Sequence, residues 1–141
     1  MSNDTKINVS GYVGGMPDVY ENENGIQTVV FSVGVTSRRF NKEADTWEDE
    51  ATAWYSVRTY GTLARNVLAS IDKGTPVLVR GTLKLREWVG EDGVKRSRHV
   101  ITADRVGIDL ATGTATFIKK TRPQQTEIVP ENNEAHAERE N

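Results

Sequence analysis

The chain has 141 residues, with 18 basic and 20 acidic side chains, a net charge of −2 and no cysteine. This length supports one domain with a buried core, and the lack of cysteine excludes disulfides and thiolate metal sites. The near-neutral charge excludes a uniformly basic nucleic-acid binder, so any such binding requires a local patch. Since no long apolar run occurs, we expect a soluble, cytoplasmic protein.

Two regions differ in composition. Residues 1–118 mix short apolar, glycine and charged stretches, whereas residues 119–141 hold five glutamates, two prolines and no aromatic residue. The second region cannot bury enough apolar surface to offset the entropy lost on ordering. We therefore predict one folded domain over 1–118 and a disordered tail over 119–141.

Alternation of apolar and polar residues predicts that the folded domain is made mainly of strands. The Asp92-Gly93 pair lies between two such stretches and predicts a hairpin turn. The five predicted strands cover residues 6–13, 25–38, 53–60, 77–88 and 94–107.

One stretch has helical spacing, because Leu63, Val67 and Ile71 lie four residues apart. Thr62 is a suitable N-cap, and Gly74 is a suitable C-terminal stop. A short helix between the third and fourth of five strands is the order of an OB-fold, a small Greek-key barrel. An SH3-like barrel or a split antiparallel sheet would also hold five strands, but the helix position favours the OB-fold.

Groups suited to catalysis are scarce. The two histidines are His99, in a predicted strand, and His136, in the predicted tail, and a strand histidine is more often structural than a general base. The acidic cluster at residues 43–50 lacks EF-hand spacing and a histidine partner, so we interpret it as a solvated loop. We expect no enzyme activity, no metal and no cofactor; a metal-dependent nuclease using Asp45 and Asp49 is the enzyme alternative.

Aromatic and basic residues share faces of the predicted strands. Trp54 has the same parity as Tyr60 in the third strand, and Trp88 shares a face with Lys84 and Arg86 in the fourth. Unpaired bases stack on aromatic rings for about 1–3 kcal/mol each, and the phosphates need cations along the same track. The pattern therefore predicts a surface for single-stranded nucleic acid.

The other face of the fourth strand carries Leu83 and Leu85, which we expect to anchor the strand in the barrel. Two further residues are left open by the sequence. Trp47 lies in the predicted acidic loop, and Arg80 is suited equally to a DNA contact and to an exterior charge.

Residues 52–98 combine W-x-x-V and aromatic-G-x-L-A with K-G-x-x-V-x-V-x-G-x-L-x-x-R-x-W and a D-G-x-K turn. In this combination they resemble the bacterial single-stranded DNA-binding protein family, with a weaker match from about residue 5 to 110. The resemblance implies a homotetrameric OB-fold that binds single-stranded DNA without sequence preference and without catalysis. It also implies a cytoplasmic, nucleoid-associated role in replication, recombination, repair or DNA uptake. The alternative is an OB-fold module that binds RNA or a protein partner.

The family's functional positions carry over onto aromatic and cationic residues of this chain. Two positions depart from the family: Glu87 and Thr62 stand where cations are common. The general-purpose members also end in an acidic tip with a hydrophobic dipeptide that recruits replication enzymes, whereas this chain ends in NNEAHAEREN. We therefore expect a specialised relative that does not recruit those enzymes in the usual way. The implied DNA-binding residues are Phe40, Trp54, Tyr60, Lys73, Lys84, Arg86, Trp88 and Arg96.

Overall fold

A computed structural model of the chain describes residues 3–21, 23, 25 and 27–120. The predicted tail over 119–141 lies outside the described residues apart from Lys119 and Lys120. The elements in chain order are β1 (Thr5–Val13), β2 (Asp18–Glu21), β3 (Gln27–Asn41), β4 (Thr46–Tyr60), α1 (Gly61–Ser70), β5 (Pro76–Val89) and β6 (Lys95–Ile108).

The strands form one sheet in the order β1-β5-β6-β4-β3-β2, and β1 also pairs with β3. That additional pairing joins the two sides of the sheet and closes it into a barrel. The neighbouring strands are antiparallel except β4 and β6, which run parallel from Tyr55 opposite His99 to Arg58 opposite Thr102. With α1 between β4 and β5, this topology confirms the predicted all-β OB-fold with one short helix.

The core lies on one face of the sheet, to which β3 and β4 contribute alternate residues. Val29, Phe31 and Val33 of β3 are buried, and Val57 of β4 and Ile101 of β6 are fully buried beside them. Ala64 and Val67 of α1 pack against this cluster. Because successive strand residues point to opposite faces, the even-numbered residues of β4 from Trp54 to Tyr60 and of β6 from Arg96 to Thr102 lie on the other face of the sheet. An irregularity in the pairing of β5 with β6 reverses this parity beyond Ala103, so Val106 packs against the core.

Leu85 was expected in this core, and that expectation is wrong. Leu83 packs against the core, but Leu85 is 55% exposed. It lies opposite His99, two residue pairs beyond the pair that Leu83 forms with Ile101. The β5–β6 hairpin therefore leaves the barrel at this point and continues as a two-stranded arm with solvent on both faces.

The structure adds a strand that the sequence pattern did not predict. β2 has four residues and pairs antiparallel with β3, with Asp18 opposite Val30. All four residues are exposed, so the strand carries no buried alternation by which it could be recognised.

The acidic segment is also more regular than the predicted loop. β3 and β4 continue as a hairpin, with Arg38 opposite Asp49 and Phe40 opposite Trp47. An ion pair of 3.2 Å joins the first two side chains, and the two rings meet edge to face with their centroids 5.3 Å apart. These cross-strand contacts support the extension, which leaves only residues 42–45 as the turn.

The helix begins two residues earlier than predicted. Its N-cap is Tyr60, without a side-chain cap hydrogen bond, so Thr62 is not the cap; the Thr62 hydroxyl instead accepts a hydrogen bond from Arg65. The C-cap is Ile71, and Gly74 lies beyond it in a turn with φ of +91°. Within the described residues, no helix is long and apolar enough to cross a membrane.

Candidate nucleic-acid interface

The strand register places the predicted aromatic and basic residues on one outward face. Ser56 of β4 lies beside Val100 of β6, and Lys84 of β5 lies opposite the same Val100. Since directly paired residues project to the same side of a sheet, the even-numbered positions within 54–60 of β4, 82–88 of β5 and 96–102 of β6 share one face. We call this the aromatic–basic face, and its members are Trp54, Arg58, Tyr60, Lys84, Arg86, Trp88, Arg96 and Arg98.

The β5–β6 arm carries one end of this face. Its turn is held by hydrogen bonds from the Gly90 amide to the Val94 carbonyl and from the Gly93 amide to the Gly90 carbonyl, each 2.9 Å long. Gly93 has a φ of +79°, a conformation that suits glycine. This confirms the hairpin predicted from Asp92-Gly93.

Trp88 is 42% exposed on the arm. The guanidinium carbon of Arg98 lies 5.6 Å from the centroid of the Trp88 ring, a cation–π geometry. Arg98 also lies opposite Arg86 across the hairpin. The arm therefore combines an aromatic ring with two neighbouring cations.

Arg98 was absent from the residues that the family resemblance implied. The signal that could have identified it is the register of the hairpin. Counting outward along both strands from the Asp92-Gly93 turn places Arg98 opposite Arg86.

Arg96 was among the implied residues and lies opposite Trp88. Its guanidinium forms an ion pair of 2.7 Å with Asp92, so a phosphate at Arg96 would compete with that carboxylate.

The Trp54 ring rests on the backbone of two glycines. A Cβ atom added to Gly34 would lie 2.9 Å from the ring atoms Cζ3 and Cη2, and one added to Gly14 would lie 2.5 Å from Cζ3. Both distances are shorter than a van der Waals contact, so only glycine leaves room for the ring at this position. Trp54 is nevertheless 56% exposed, which leaves part of its surface free to stack on a ligand.

A groove of about 340 Å³ opens beside Trp54. Arg98 of β6 and Asp18 of β2 both contribute to it, although β3 and β4 lie between their strands in the sheet. The groove therefore joins the arm, through Arg98, to the short edge strand. Its other lining residues are Met16, Val30, Phe31, Ser32, Trp54, Tyr55 and Ser56.

Arg58 and Tyr60 extend the face away from Trp54. Arg58 is half-buried, and its Nε atom is buried without a hydrogen-bond partner in the described part of the chain. Tyr60 is exposed and lies opposite Thr28. At about 3.3 Å per strand residue, Tyr60 lies about 20 Å along β4 from Trp54.

Two implied residues lie away from this cluster. Phe40 lies on the β3–β4 arm, where its ring contacts Trp47. Lys73 lies in the turn after α1, exposed, next to Gly74, whose amide donates a hydrogen bond of 2.7 Å to the Val13 carbonyl. The structure therefore brings six of the eight implied residues onto the aromatic–basic face, whereas Phe40 and Lys73 lie outside it.

Arg80, left open by the sequence, is paired with an acid. Its Nε atom lies 3.0 Å from a carboxylate oxygen of Asp104. This hydrogen bond, together with the charge of Arg80, holds the pKa of Asp104 below its usual value. The charge of Arg80 is thus already balanced within the protein.

The acidic residues of the β3–β4 arm do not gather around a common point. Asp49 is paired with Arg38, and Glu48 accepts a hydrogen bond of 3.2 Å from Asn41. Among residues 3–120 with the stated gaps, no group of three or more His, Asp or Glu side chains is placed to hold a metal ion.

Comparison with known proteins assigns the chain to a family. Residues 4–109 match the single-strand binding protein family. A Streptomyces coelicolor protein named single-stranded DNA-binding protein 1 is 36% identical over 128 residues, which cover 91% of this chain and 81% of that protein. A Corynebacterium glutamicum protein named single-stranded DNA-binding protein is 34% identical over 119 residues, which cover 84% of this chain. The matched part spans 53% of the length of that relative.

Solved structures agree with this assignment. The crystal structure of the small single-stranded DNA-binding protein from Streptomyces coelicolor superposes with a TM-score of 0.72 at 36% identity, covering 79% of this chain and 100% of that one. The second single-stranded DNA-binding protein of Mycobacterium smegmatis gives a TM-score of 0.63 at 28% identity, covering 83% of this chain and 100% of that one. Because family match, sequence identity and barrel topology coincide, the chain belongs to the single-strand binding protein family.

Proposed function

We propose that this protein binds single-stranded DNA without catalysis and with broad sequence tolerance. The observation that carries the proposal is the aromatic–basic face, on which Arg98 links the Trp88 arm to the groove at Trp54. A DNA strand needs ring faces for its bases and cations for its phosphates on one track, and this face supplies both. The names of the relatives support the same function.

The track runs from the β5–β6 arm across the sheet to the end of β4. Bases stack on Trp88, Trp54 and Tyr60, while Lys84, Arg86 and Arg98 bind phosphates. Arg58, whose buried Nε lacks a partner in the described residues, supplies a further cation between Trp54 and Tyr60. Phe40 and Lys73 extend the track at its flanks, and Arg96 joins it by exchanging Asp92 for a phosphate.

Self-association into a homotetramer is part of the proposal. Exposed apolar side chains on β1 and β5, including Tyr12 and Leu78, supply surface that a second copy would bury. Four copies would present several tracks to one long strand. The cellular setting would be replication, recombination, repair or DNA uptake in the cytoplasm.

Titration with dT oligomers of increasing length tests the proposal. We expect strong quenching of intrinsic tryptophan fluorescence, because Trp54 and Trp88 would stack on bases. Light scattering on the same samples gives the stoichiometry and the number of subunits. An unchanged spectrum at micromolar protein and low salt would contradict DNA binding, and displacement of dT oligomers by folded RNA would favour the RNA alternative.

A further inference from the structure

The groove beside Trp54 carries opposite charges on its two sides. Arg98 supplies a cation from β6, and Asp18 supplies an exposed carboxylate from β2. The two strands are three strand spacings apart in the sheet, about 14 Å between their axes. A nucleotide lying across the groove would therefore meet a positive group at one end and a negative group at the other.

This polarity orients a bound nucleotide. Its phosphate carries negative charge, so it is attracted to Arg98 and repelled by Asp18. The exposed surface of Trp54 lies between them and offers a stacking platform for the base. The Watson–Crick edge of the base then points away from Arg98, toward the β2 side.

On the β2 side the groove offers a hydrogen-bond acceptor. A carboxylate accepts hydrogen bonds and donates none, so Asp18 pairs with an amino group on the base and not with a carbonyl. Ser32 and Ser56 lie opposite each other on the floor, and their hydroxyls can act as donor or acceptor. Asp18 is thus the lining group that discriminates between base edges.

The structure of β2 supports a role in the groove and not in the core. All four of its residues are exposed, so the strand contributes no buried side chain to the barrel. Its pairing with β3 nevertheless fixes Asp18 opposite Val30, another lining residue.

We propose that this groove is a subsite for a base carrying an exocyclic amine, foremost cytosine, in which Asp18 accepts a hydrogen bond from the amine while Arg98 binds the phosphate. The inference rests on the proposed binding of single-stranded DNA. It adds a local base preference to a surface that is otherwise tolerant of sequence.

The test compares oligomers of dC and dU of equal length at pH 7.5. Both are pyrimidines without a methyl group, and at position 4 cytosine carries an amine where uracil carries a carbonyl. Affinities are measured for the full chain and for Asp18→Asn, whose amide can also donate to a carbonyl. The matched control is Glu21→Gln, which removes the same charge from an exposed residue on the same strand outside the groove.

We expect Asp18→Asn to lower the ratio of dC affinity to dU affinity at least about fivefold, the lower end of what one good base contact supplies. Glu21→Gln is expected to leave the ratio unchanged. An equal gain in affinity for both oligomers would mean that Asp18 only repels the strand, and would overturn the proposal, as would an unchanged ratio. Failure of the unmodified protein to bind either oligomer would instead contradict the proposed function itself.

Discussion

At the level of single residues, the position of the Trp54 ring depends on two glycines that carry no side chain. Gly14 and Gly34 leave room for the ring to lie against the backbone of β3 and the end of β1. A ring that is already held in place loses little rotamer freedom when a base stacks on it. The two glycines thus act as positioning residues for the proposed stacking.

We expect Gly14→Ala to weaken binding of dT oligomers about 5- to 150-fold, because a displaced Trp54 would lose a stacking contact of about 1–3 kcal/mol. The matched control is Gly15→Ala, since an added Cβ at Gly15 meets nothing within 4 Å. Fluorescence titration gives the affinities, and thermal unfolding establishes that both variants fold. Equal affinities for the two variants would show that Gly14 does not position the ring.

At the scale of elements, the two long hairpins each divide into a barrel part and an arm. In the β5–β6 hairpin the boundary lies between Leu83, which packs against the core, and Leu85, which does not. The arm is therefore stabilised by its ladder and cross-strand contacts and contributes little to the core. This division frees the arm to carry Trp88 and its cations.

Because the arm lies outside the core, alanine substitutions at Ile101 in the barrel and at Leu85 in the arm should differ strongly in their effect on the free energy of unfolding. We expect Ile101→Ala to lower the free energy of unfolding by about 2–5 kcal/mol, because it empties a fully buried site. Leu85→Ala is expected to change that free energy by less than about 0.5 kcal/mol. Urea denaturation at a fixed protein concentration measures both, and a loss of several kcal/mol for Leu85→Ala would place that side chain in a buried contact.

For the molecule as a whole, the net charge of −2 is the sum of a locally positive surface and locally negative ones. Cations of β4, β5 and β6 gather on the aromatic–basic face, while acidic residues occupy the β3–β4 arm. Binding driven by this face should weaken steeply with salt, because each phosphate contact releases counterions. The mean charge of the protein therefore does not predict its affinity for DNA.

We expect Arg86→Ala to reduce the slope of log affinity against log salt concentration by about 0.7 in magnitude, the contribution of one phosphate contact on a single strand. Arg80→Ala serves as the control because Arg80 is already paired with Asp104. The slopes come from dT titrations between about 50 and 200 mM salt, the range in which phosphate contacts dominate the change. Identical slopes for Arg86→Ala and the unmodified protein would remove Arg86 from the track.

The OB-fold order, the core-facing position of Leu83, the β5–β6 turn and the grouping of Trp54 with Tyr60 and of Trp88 with its cations could all be predicted from the sequence. These follow from a period of two and from turn residues, which are local properties of the chain. Four further features are seen only in the tertiary structure: Arg98 lies near the Trp88 ring, Gly14 leaves room for Trp54, Leu85 lies outside the barrel and Asp18 lines the groove. Each of these features depends on strand register or on where the barrel ends. Residues that are paired across strands are distant in sequence, so the local alternation of apolar and polar residues does not show which of them will meet.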